Sequence, residues 1–262
     1  MKKNFTLILS LFMITTIFTG CNNKSSADDS LEKVKKAGVL LVGMHDDYPP
    51  MEFRNENDER VGFEIDLANA IGKKMDVKIK FVSNAWDGIF LALNSKKFDV
   101  IMSTVSITDE RKKKMLFSEP IVYGGNAIFV KSDNNNIKSE KDFPGKIVGC
   151  EAGSTAQDVV SKISGIKDIK KYNAVPDAFM DLKNGRIAAI VTDPMVGDYY
   201  SAKEKGVYKR LKSTLNKEPI GTAFRKNDKA LRDEFNKEFD ELKKDGTLSK
   251  LSTKWFGYDI YK

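Results

Sequence analysis

Histidine and cysteine are scarce in this chain of 262 residues, which contains one histidine, His45, and two cysteines, Cys21 and Cys150. These side chains are far apart and lack the spacing of metal ligands, so we expect no metal site and no cofactor. His45 is also the sole candidate base for a Ser-His-Asp triad, and no nucleophile elbow, Walker motif or dinucleotide-binding glycine pattern accompanies it. The sequence therefore predicts that the chain is not an enzyme.

Long apolar stretches are absent after residue 20, so no later segment reaches the ~20 residues that a membrane-spanning helix needs. Residues 1–20 combine two lysines with an apolar run from Phe5 to Phe18, which is typical of a secretory signal peptide. The four residues that end at Cys21 resemble a bacterial lipobox, in which the cysteine receives the lipid. The alternative is that Cys21 is an ordinary small residue near a cleavage site.

We predict a signal peptide over residues 1–20, followed by a palmitate-bearing Cys21 and a polar tether over residues 21–37. Such a lipid anchor places the chain on the extracellular face of the cell membrane, or on the periplasmic side in a bacterium with two membranes. Cys150 is then the sole remaining thiol, so the fold must be stabilised by packing and not by a disulfide. We expect Cys150 to be a small core residue.

A one-sided charge distribution is also missing. The formal net charge is +7, but 44 basic and 37 acidic residues are interspersed along the chain, without a basic block. Nucleic-acid binding is not indicated, because it requires a concentrated basic surface. The sequence instead predicts a lysine-rich, solvated surface on a monomer.

Strand and helix patterns alternate in two successive series. In the first, Val39 to Gly43 is a buried strand, Phe63 to Met75 carries an apolar residue at every fourth position, and further β and α patterns follow as far as Met102. The second series starts after Tyr123-Gly124-Gly125 and again alternates strands with helices, the last of which opens near Pro194. Two such series predict an α/β protein with two mostly parallel sheets flanked by helices.

Several short motifs resemble the bacterial extracellular solute-binding proteins of family 3, the amino-acid-binding subunits of ABC importers, which include the histidine-, lysine-arginine-ornithine- and glutamine-binding proteins. They occur in the same order and cover nearly everything from Gly38 to the end. The motifs are Tyr48-Pro49-Pro50-Met51-Glu52-Phe53, Gly62-Phe63-Glu64-Ile65-Asp66-Leu67, Trp86-Asp87-Gly88, the run from Ser103 to Arg111, Phe117-Ser118-Glu119-Pro120 and Lys254-Trp255-Phe256-Gly257.

The resemblance implies a two-lobed, type II periplasmic-binding-protein-like fold with a hinge of two crossover strands. Residues 38–124 and 220–262 are expected to form lobe 1, and residues 125–219 lobe 2. It also implies capture of a free amino acid, closure of the lobes about the hinge, and delivery to an ABC transporter permease.

Arg111 and Asp193 are the two principal expected ligand-binding residues. A guanidinium presents a rigid fork that matches a carboxylate, and Asp193 corresponds to the family's ammonium-binding carboxylate. Each has a simpler explanation, Arg111 as a surface ion-pair residue and Asp193 as the N-cap of the helix at Pro194. Further ligand-binding groups are expected at the strand end after Met102 and at a helix start in lobe 2, namely Ser103, Thr104, Ser106, Ser154 and Thr155.

Four more residues are expected against the ligand's own side chain. Tyr48 and Trp86 match positions that the family places there, although Trp86 equally fits a core helical stripe. His45 stands where relatives that bind cationic amino acids carry an acidic residue, and Glu151 precedes the Gly153 turn, where it either meets a cationic group or is solvated. We expect a polar or cationic ligand such as arginine, lysine, histidine or cystine.

Two rival functions remain open at this point. Cyclohexadienyl and arogenate dehydratases resemble this family and act on amino-acid-like substrates, and Glu151 is the candidate acid for such an enzyme. A surface lipoprotein that senses a ligand without a transporter is the other rival.

Overall fold

The computed structural model describes residues 28–262. The predicted signal peptide and Cys21 lie outside these residues. Within the segment assigned to the tether, Ser30–Ala37 forms helix α1, which packs against a helix near the C-terminus of the chain through the buried Val34. The segment expected to be a polar tether is therefore helical over residues 30–37.

The first sheet is built around strand β1 (Val39–Met44), as the sequence predicted. It pairs in parallel with β5 (Lys78–Ser83) on one side and with β6 (Val100–Ile101) on the other. Strand β13 (Ala223–Arg225) pairs antiparallel with β6 and with β7 (Met115–Phe117), so the chain returns to this sheet after a long excursion.

Helices cover both faces of the first sheet. Helix α2 contributes Phe63, Leu67 and Ile71, which are fully buried, because residues four apart share one face of a helix. The helices of this lobe after α1 are α2 (Phe63–Lys74), α3 (Ile89–Asn94), α4 (Asp109–Lys114), α8 (Lys229–Lys244) and α9 (Thr247–Phe256), with a 3-10 turn at Trp86–Gly88.

The parallel part of the second sheet consists of β9 (Ile147–Glu151), β10 (Asp168–Tyr172) and β11 (Ala189–Thr192). With β8 (Val122–Lys131) and β12 (Tyr208–Ile220), the strand order is β10-β9-β11-β8-β12. The helices around it are α5 (Thr155–Val160), α6 (Val175–Lys183) and α7 (Pro194–Lys203), with a 3-10 turn at Glu140–Asp142. Cys150 is fully buried in this lobe, where burial raises the pKa of its thiol to about 11.

Two long strands run along the edge of the second sheet and link it to the first. β8 (Val122–Lys131) and β12 (Tyr208–Ile220) pair antiparallel from Val122 opposite Ile220 to Lys131 opposite Tyr208. The expected lobe boundaries, at residues 124/125 and 219/220, fall inside these two strands.

The expected two-lobed α/β fold is confirmed, with one refinement. Each of the two large sheets combines two parallel with two antiparallel pairings instead of being mostly parallel. The antiparallel pairings arise because β8 in the second sheet and β13 in the first run against the direction of the βα strands, so each pairs antiparallel with both of its neighbours.

A third, three-stranded antiparallel sheet lies after β1 and was not predicted. It consists of β2 (Asp47–Tyr48), β3 (Glu52–Arg54) and β4 (Arg60–Val61). No helix within residues 28–262 is both long and apolar enough to cross a bilayer.

Candidate functional site

Two parallel strands of each lobe have their carboxyl ends at one cavity. His45 follows β1, Ser103 lies just after β6, Glu151 ends β9 and Asp193 follows β11. All four residues line the cavity. Ligands of open α/β sheets bind at such strand ends.

Every side chain that the sequence proposed as a ligand contact borders this cavity. From the first lobe come His45, Tyr48, Trp86, Ser103, Thr104, Ser106 and Arg111, and from the second lobe come Glu151, Ser154, Thr155 and Asp193. Residues up to 148 positions apart in the chain, His45 and Asp193 (193 − 45 = 148), are therefore brought together by the folding of both lobes.

Arg111 is held by its own loop and by two aromatic rings. Its backbone N–H donates to the side chain of Thr108, the N-cap of α4, and its guanidinium donates to the Ser106 carbonyl at 3.1 Å. The guanidinium carbon lies 4.9 Å from the Phe90 ring centroid and 5.5 Å from that of Trp86. Burial lowers the pKa of Arg111, and Glu218 is the carboxylate that most opposes this shift. No described residue forms a salt bridge with Arg111, so its fork is available to an anion.

Asp193 lies on the opposite wall and is buried, 6% exposed. Its carboxylate caps α7 by accepting from the Met195 N–H at 2.8 Å, and it accepts from the Gly125 N–H at 3.1 Å. Burial raises the pKa of Asp193 to about 7, although these two backbone donors oppose the shift. The helix-cap explanation is thus correct, and it is compatible with a ligand contact because the same carboxylate also borders the cavity.

Ser103 and Thr104 are fixed by two buried glutamates. The Ser103 hydroxyl donates to Glu52 at 2.9 Å and accepts from the His45 N–H at 2.9 Å. The Thr104 hydroxyl donates to Glu52 at 3.0 Å, and the Thr104 N–H donates to Glu64 at 2.7 Å. Ser106 forms an isolated β-bridge with Ile220 of the second linking strand.

The start of α5 supplies the second lobe's polar hydroxyls. Ser154 is the N-cap of α5, where its hydroxyl accepts from the Gln157 N–H and donates to the Glu151 carbonyl. Thr155 donates its hydroxyl to Glu218 at 2.8 Å and accepts from the Asn126 amide at 3.2 Å. This network joins α5 to the two linking strands.

His45, Asp47 and Glu151 form an ionisable group across the two lobes. His45 Nδ1 lies 3.1 Å from an Asp47 oxygen and 3.3 Å from a Glu151 oxygen. Burial lowers the pKa of His45, but the two carboxylates outweigh it and the net shift is upward, while burial raises the pKa of Asp47 to about 6 and also that of Glu151. Within residues 28–262, this is the one group of metal-ligand side chains whose donor atoms lie within 4.8 Å of one another. An imidazolium between two carboxylates accounts for the same contacts.

Aromatic residues contribute to the contact between the lobes. The Tyr48 hydroxyl lies 3.4 Å from that of Thr192, and Phe53 of β3 meets Tyr199 of α7 with ring centroids 5.8 Å apart. Trp86 is 7% exposed and packs in the first lobe's core while its edge lines the cavity, so both of its expected roles are compatible with its position. Its indole Nε1 has no hydrogen-bond partner among the described residues.

The sequence did not single out several residues of this site. Glu52, Gly125, Asn126, Ala156, Val191 and Thr192 also line the cavity. Glu52 lies inside the Tyr48–Phe53 motif, and Gly125 ends the glycine pair that marks the first linking strand, so these two had a signal. Asn126 and Glu218 had none, because nothing in the sequence distinguishes them from other polar strand residues.

Comparison with known families decides the classification. The model of the "Bacterial extracellular solute-binding proteins, family 3" matches residues 40–258. The chain belongs to this family. The resemblance on which the sequence analysis relied is thereby confirmed.

Individual relatives of this solute-binding protein agree with that assignment. It is 35% identical over 253 residues to the L-cystine-binding protein TcyJ of Escherichia coli (strain K12), covering 95% of each chain. The structure of an ancestral arginine-binding protein bound to arginine is 43% identical, with a TM-score of 0.81, over 84% of this chain and 99% of that one. The ancestral amino-acid-binding protein AncCDT-1, described as a precursor of cyclohexadienyl dehydratase, is 39% identical, with a TM-score of 0.82, over 87% and 99%.

Proposed function

We propose that this chain binds a free polar or cationic amino acid outside the cytoplasm and delivers it to an ABC importer by closure of its two lobes. The single observation that carries the proposal is that Arg111 and Asp193 border the same cavity from different lobes. A guanidinium and a carboxylate in this arrangement match the carboxylate and the ammonium of one zwitterion.

The preference for the ligand's side chain follows from the charged groups of the site that do not bind the α-carboxylate or the ammonium. Once Arg111 and Asp193 are assigned to the ligand's α-groups, His45, Asp47 and Glu151 remain, and they carry one excess negative charge when the imidazole is protonated. A cationic side chain neutralises this excess, and the second ammonium of cystine can contact the same carboxylates. Arginine, lysine, histidine and cystine are therefore the proposed ligands.

Mass spectrometry of the ligand released from the purified, denatured protein tests this directly. A calorimetric panel of L-arginine, L-lysine, L-histidine, L-cystine, L-glutamate and L-leucine then ranks affinities on protein freed of that ligand. We expect the first four to include the tightest binder. Binding of only L-glutamate or L-leucine would contradict the assignment of the acidic group to the ligand's side chain.

Lipid attachment at Cys21 is a further part of the proposal. Metabolic labelling with a palmitate analogue should mark the wild-type chain and not Cys21→Ser, and Cys150→Ser serves as the matched control. Release of the wild-type chain into the medium without label would overturn the anchor.

We also propose that the chain has no catalytic activity. One observation makes a dehydratase the alternative to be tested. AncCDT-1 is a binding protein by its description, yet it is described as a precursor of a dehydratase. Loss of the prephenate or arogenate absorbance on incubation with the protein would establish the enzyme. A stable absorbance, together with amino-acid binding, supports the proposed function.

Delivery to a transporter distinguishes import from ligand sensing. Adjacent genes for a permease and an ATPase, and loss of amino-acid uptake on deletion of this chain, are expected for an importer subunit. Unchanged uptake in the deletion strain would favour sensing.

A further inference from the structure

The side chain of Glu52, which lines the cavity, forms a buried carboxyl pair with that of Glu64. Glu52 lies on β3 and Glu64 in the first turn of α2, and both are 0% exposed. The Thr104 hydroxyl lies 3.0 Å from a Glu52 oxygen and 3.4 Å from a Glu64 oxygen, so the two carboxyl groups are neighbours. No described lysine, arginine or histidine forms a salt bridge with either. Two carboxylates in contact and away from water do not both ionise, because each raises the cost of charging the other.

Hydrogen bonds identify which of the two holds the proton. Glu64 accepts the Thr104 N–H at 2.7 Å and lies at the N-terminus of α2, where the helix dipole favours a negative charge. The second Glu64 oxygen, Oε1, is buried and has no partner in residues 28–262 unless a donor is present on Glu52. A proton on Glu52 supplies that donor, so the geometry favours a neutral Glu52 and an ionised Glu64.

The carboxyl pair forms hydrogen bonds with two residues that border the cavity. Glu52 accepts from the Ser103 and Thr104 hydroxyls at 2.9 and 3.0 Å. Thr104 has a φ of 50°, a left-handed conformation that is unfavourable for a β-branched residue and persists only where its surroundings enforce it. Three hydrogen bonds to the carboxyl pair, from Ser103 and from the N–H and hydroxyl of Thr104, provide this enforcement.

We propose that Glu52 and Glu64 are positioning residues of the binding cleft, which share one proton and hold Ser103 and Thr104 in the geometry that the ligand meets. This inference rests on the proposed amino-acid binding. The buried pair acts through the neighbouring Ser103 and Thr104. Asp193 remains the proposed contact of the ligand ammonium.

The first test uses the isosteric variant Glu52→Gln. A carboxamide reproduces most of a neutral Glu52, since its NH₂ donates to Glu64 and its oxygen accepts from Ser103. The Thr104 hydroxyl, 3.4 Å from Glu64, then donates to that carboxylate, so a loss of affinity of no more than about tenfold is expected. Glu52→Met has a similar volume but no polar atoms, and a loss of at least about thirtyfold is expected. The probe is the tightest binder among L-arginine, L-lysine, L-histidine and L-cystine, measured by calorimetry.

The proton itself is measured by NMR of protein labelled with ¹³C at the glutamate carboxyl carbons. One carboxyl resonance of the wild type should keep its protonated shift from pH 6 to pH 8, and it should be missing from Glu52→Gln. Glu56→Gln, on the exposed loop after β3, is the control and should retain it. This readout does not depend on folding of the Met variant or on the identity of the ligand.

The outcomes separate the two proposals. A Glu52→Gln variant as weak as Glu52→Met, or no protonated glutamate at pH 6–8, would overturn the shared-proton pair even if the wild type binds amino acids. A wild type that binds none of the four amino acids would instead overturn the proposed function, while the NMR result would still report on the pair.

Discussion

Replacement of Arg111 probes the proposed ligand grip most directly. A bidentate pair between its guanidinium and the ligand carboxylate comprises two charge-assisted hydrogen bonds of ~1.5–3 kcal/mol each. Arg111→Ala should therefore cost ~3–6 kcal/mol of binding free energy, or roughly 10²- to 10⁴-fold in Kd at about 1.4 kcal/mol per factor of ten. Arg111→Lys keeps the charge but loses the fork and the stacking on Phe90 and Trp86. Its Kd should therefore lie between those of the wild type and Arg111→Ala, roughly 10- to 10²-fold above the wild type.

Stability should change little in the same variants. Among the residues that the structure describes, the Arg111 side chain makes one hydrogen bond, to the Ser106 carbonyl. Its removal also relieves the cost of burying a charge, which the lowered pKa of Arg111 reports. Calorimetry gives Kd and a thermal melt gives Tm for each variant. Arg210→Ala is the matched control, because Arg210 forms only an exposed ion pair with Asp198 at the surface of the second lobe.

Two results would refute this reasoning. If Arg111→Ala keeps its affinity within about threefold of wild type, Arg111 does not hold the ligand carboxylate. If Arg111→Lys is as weak as Arg111→Ala while both remain folded, the fork geometry and the aromatic stacking, and not the charge, account for the contribution of Arg111.

Three further predictions concern the second lobe and the closure. Burial raises the pKa of Asp193 to about 7, and an ammonium requires the ionised carboxylate, so affinity measured by calorimetry should rise from pH 6 to pH 8 and level off above. Asp193→Asn should bind weakly and lose this rise with pH. An unchanged pH profile in that variant would exclude Asp193 as the ammonium contact. A Cβ at Gly124 would lie 2.0 Å from an Asp193 oxygen, so Gly124→Ala should weaken binding at least about tenfold, whereas Gly88→Ala, whose nearest contact is 3.5 Å away, should not. Small-angle scattering should show a smaller radius of gyration with ligand, and an unchanged radius under saturating ligand would contradict hinge closure. Tyr199→Ala, which removes the contact with Phe53, should weaken binding by roughly 3- to 10-fold.

Local patterns in the sequence predicted the repeating part of the fold. The apolar residues at every fourth position of α2 and the uninterrupted apolar run of β1 indicate their buried faces without reference to the rest of the chain. The small sheet of β2, β3 and β4 escaped prediction because strands of two or three residues are too short to display alternation. The even mixture of parallel and antiparallel pairings depends on β12 and β13, whose partners lie about a hundred residues earlier in the chain.

The candidate site was only partly accessible to sequence reasoning. Spacing alone does not connect Arg111 with Asp193, which are 82 positions apart (193 − 111 = 82), and the family motifs supplied that connection. The buried Glu52 and Glu64 lie within those motifs but were not identified as a pair, since a glutamate ordinarily suggests a solvated side chain. Their contact arises from the packing of β3 against α2, which no local pattern encodes.

Closure of the lobes depends on contacts that span both of them. Shifting a two-state equilibrium from 1:99 to 99:1 takes about 5.5 kcal/mol of differential binding. The aromatic contact of Phe53 with Tyr199 provides only ~0.5–1.5 kcal/mol beyond the area that it buries, which is too little to hold the lobes together. A ligand that binds Arg111 in one lobe and Asp193 in the other forms its full set of contacts in the closed state alone. An amino acid derivative that lacks the carboxylate should therefore bind without closing the protein, because it keeps the contact with Asp193 of the second lobe but loses the contact with Arg111 of the first, and so no longer distinguishes the two states.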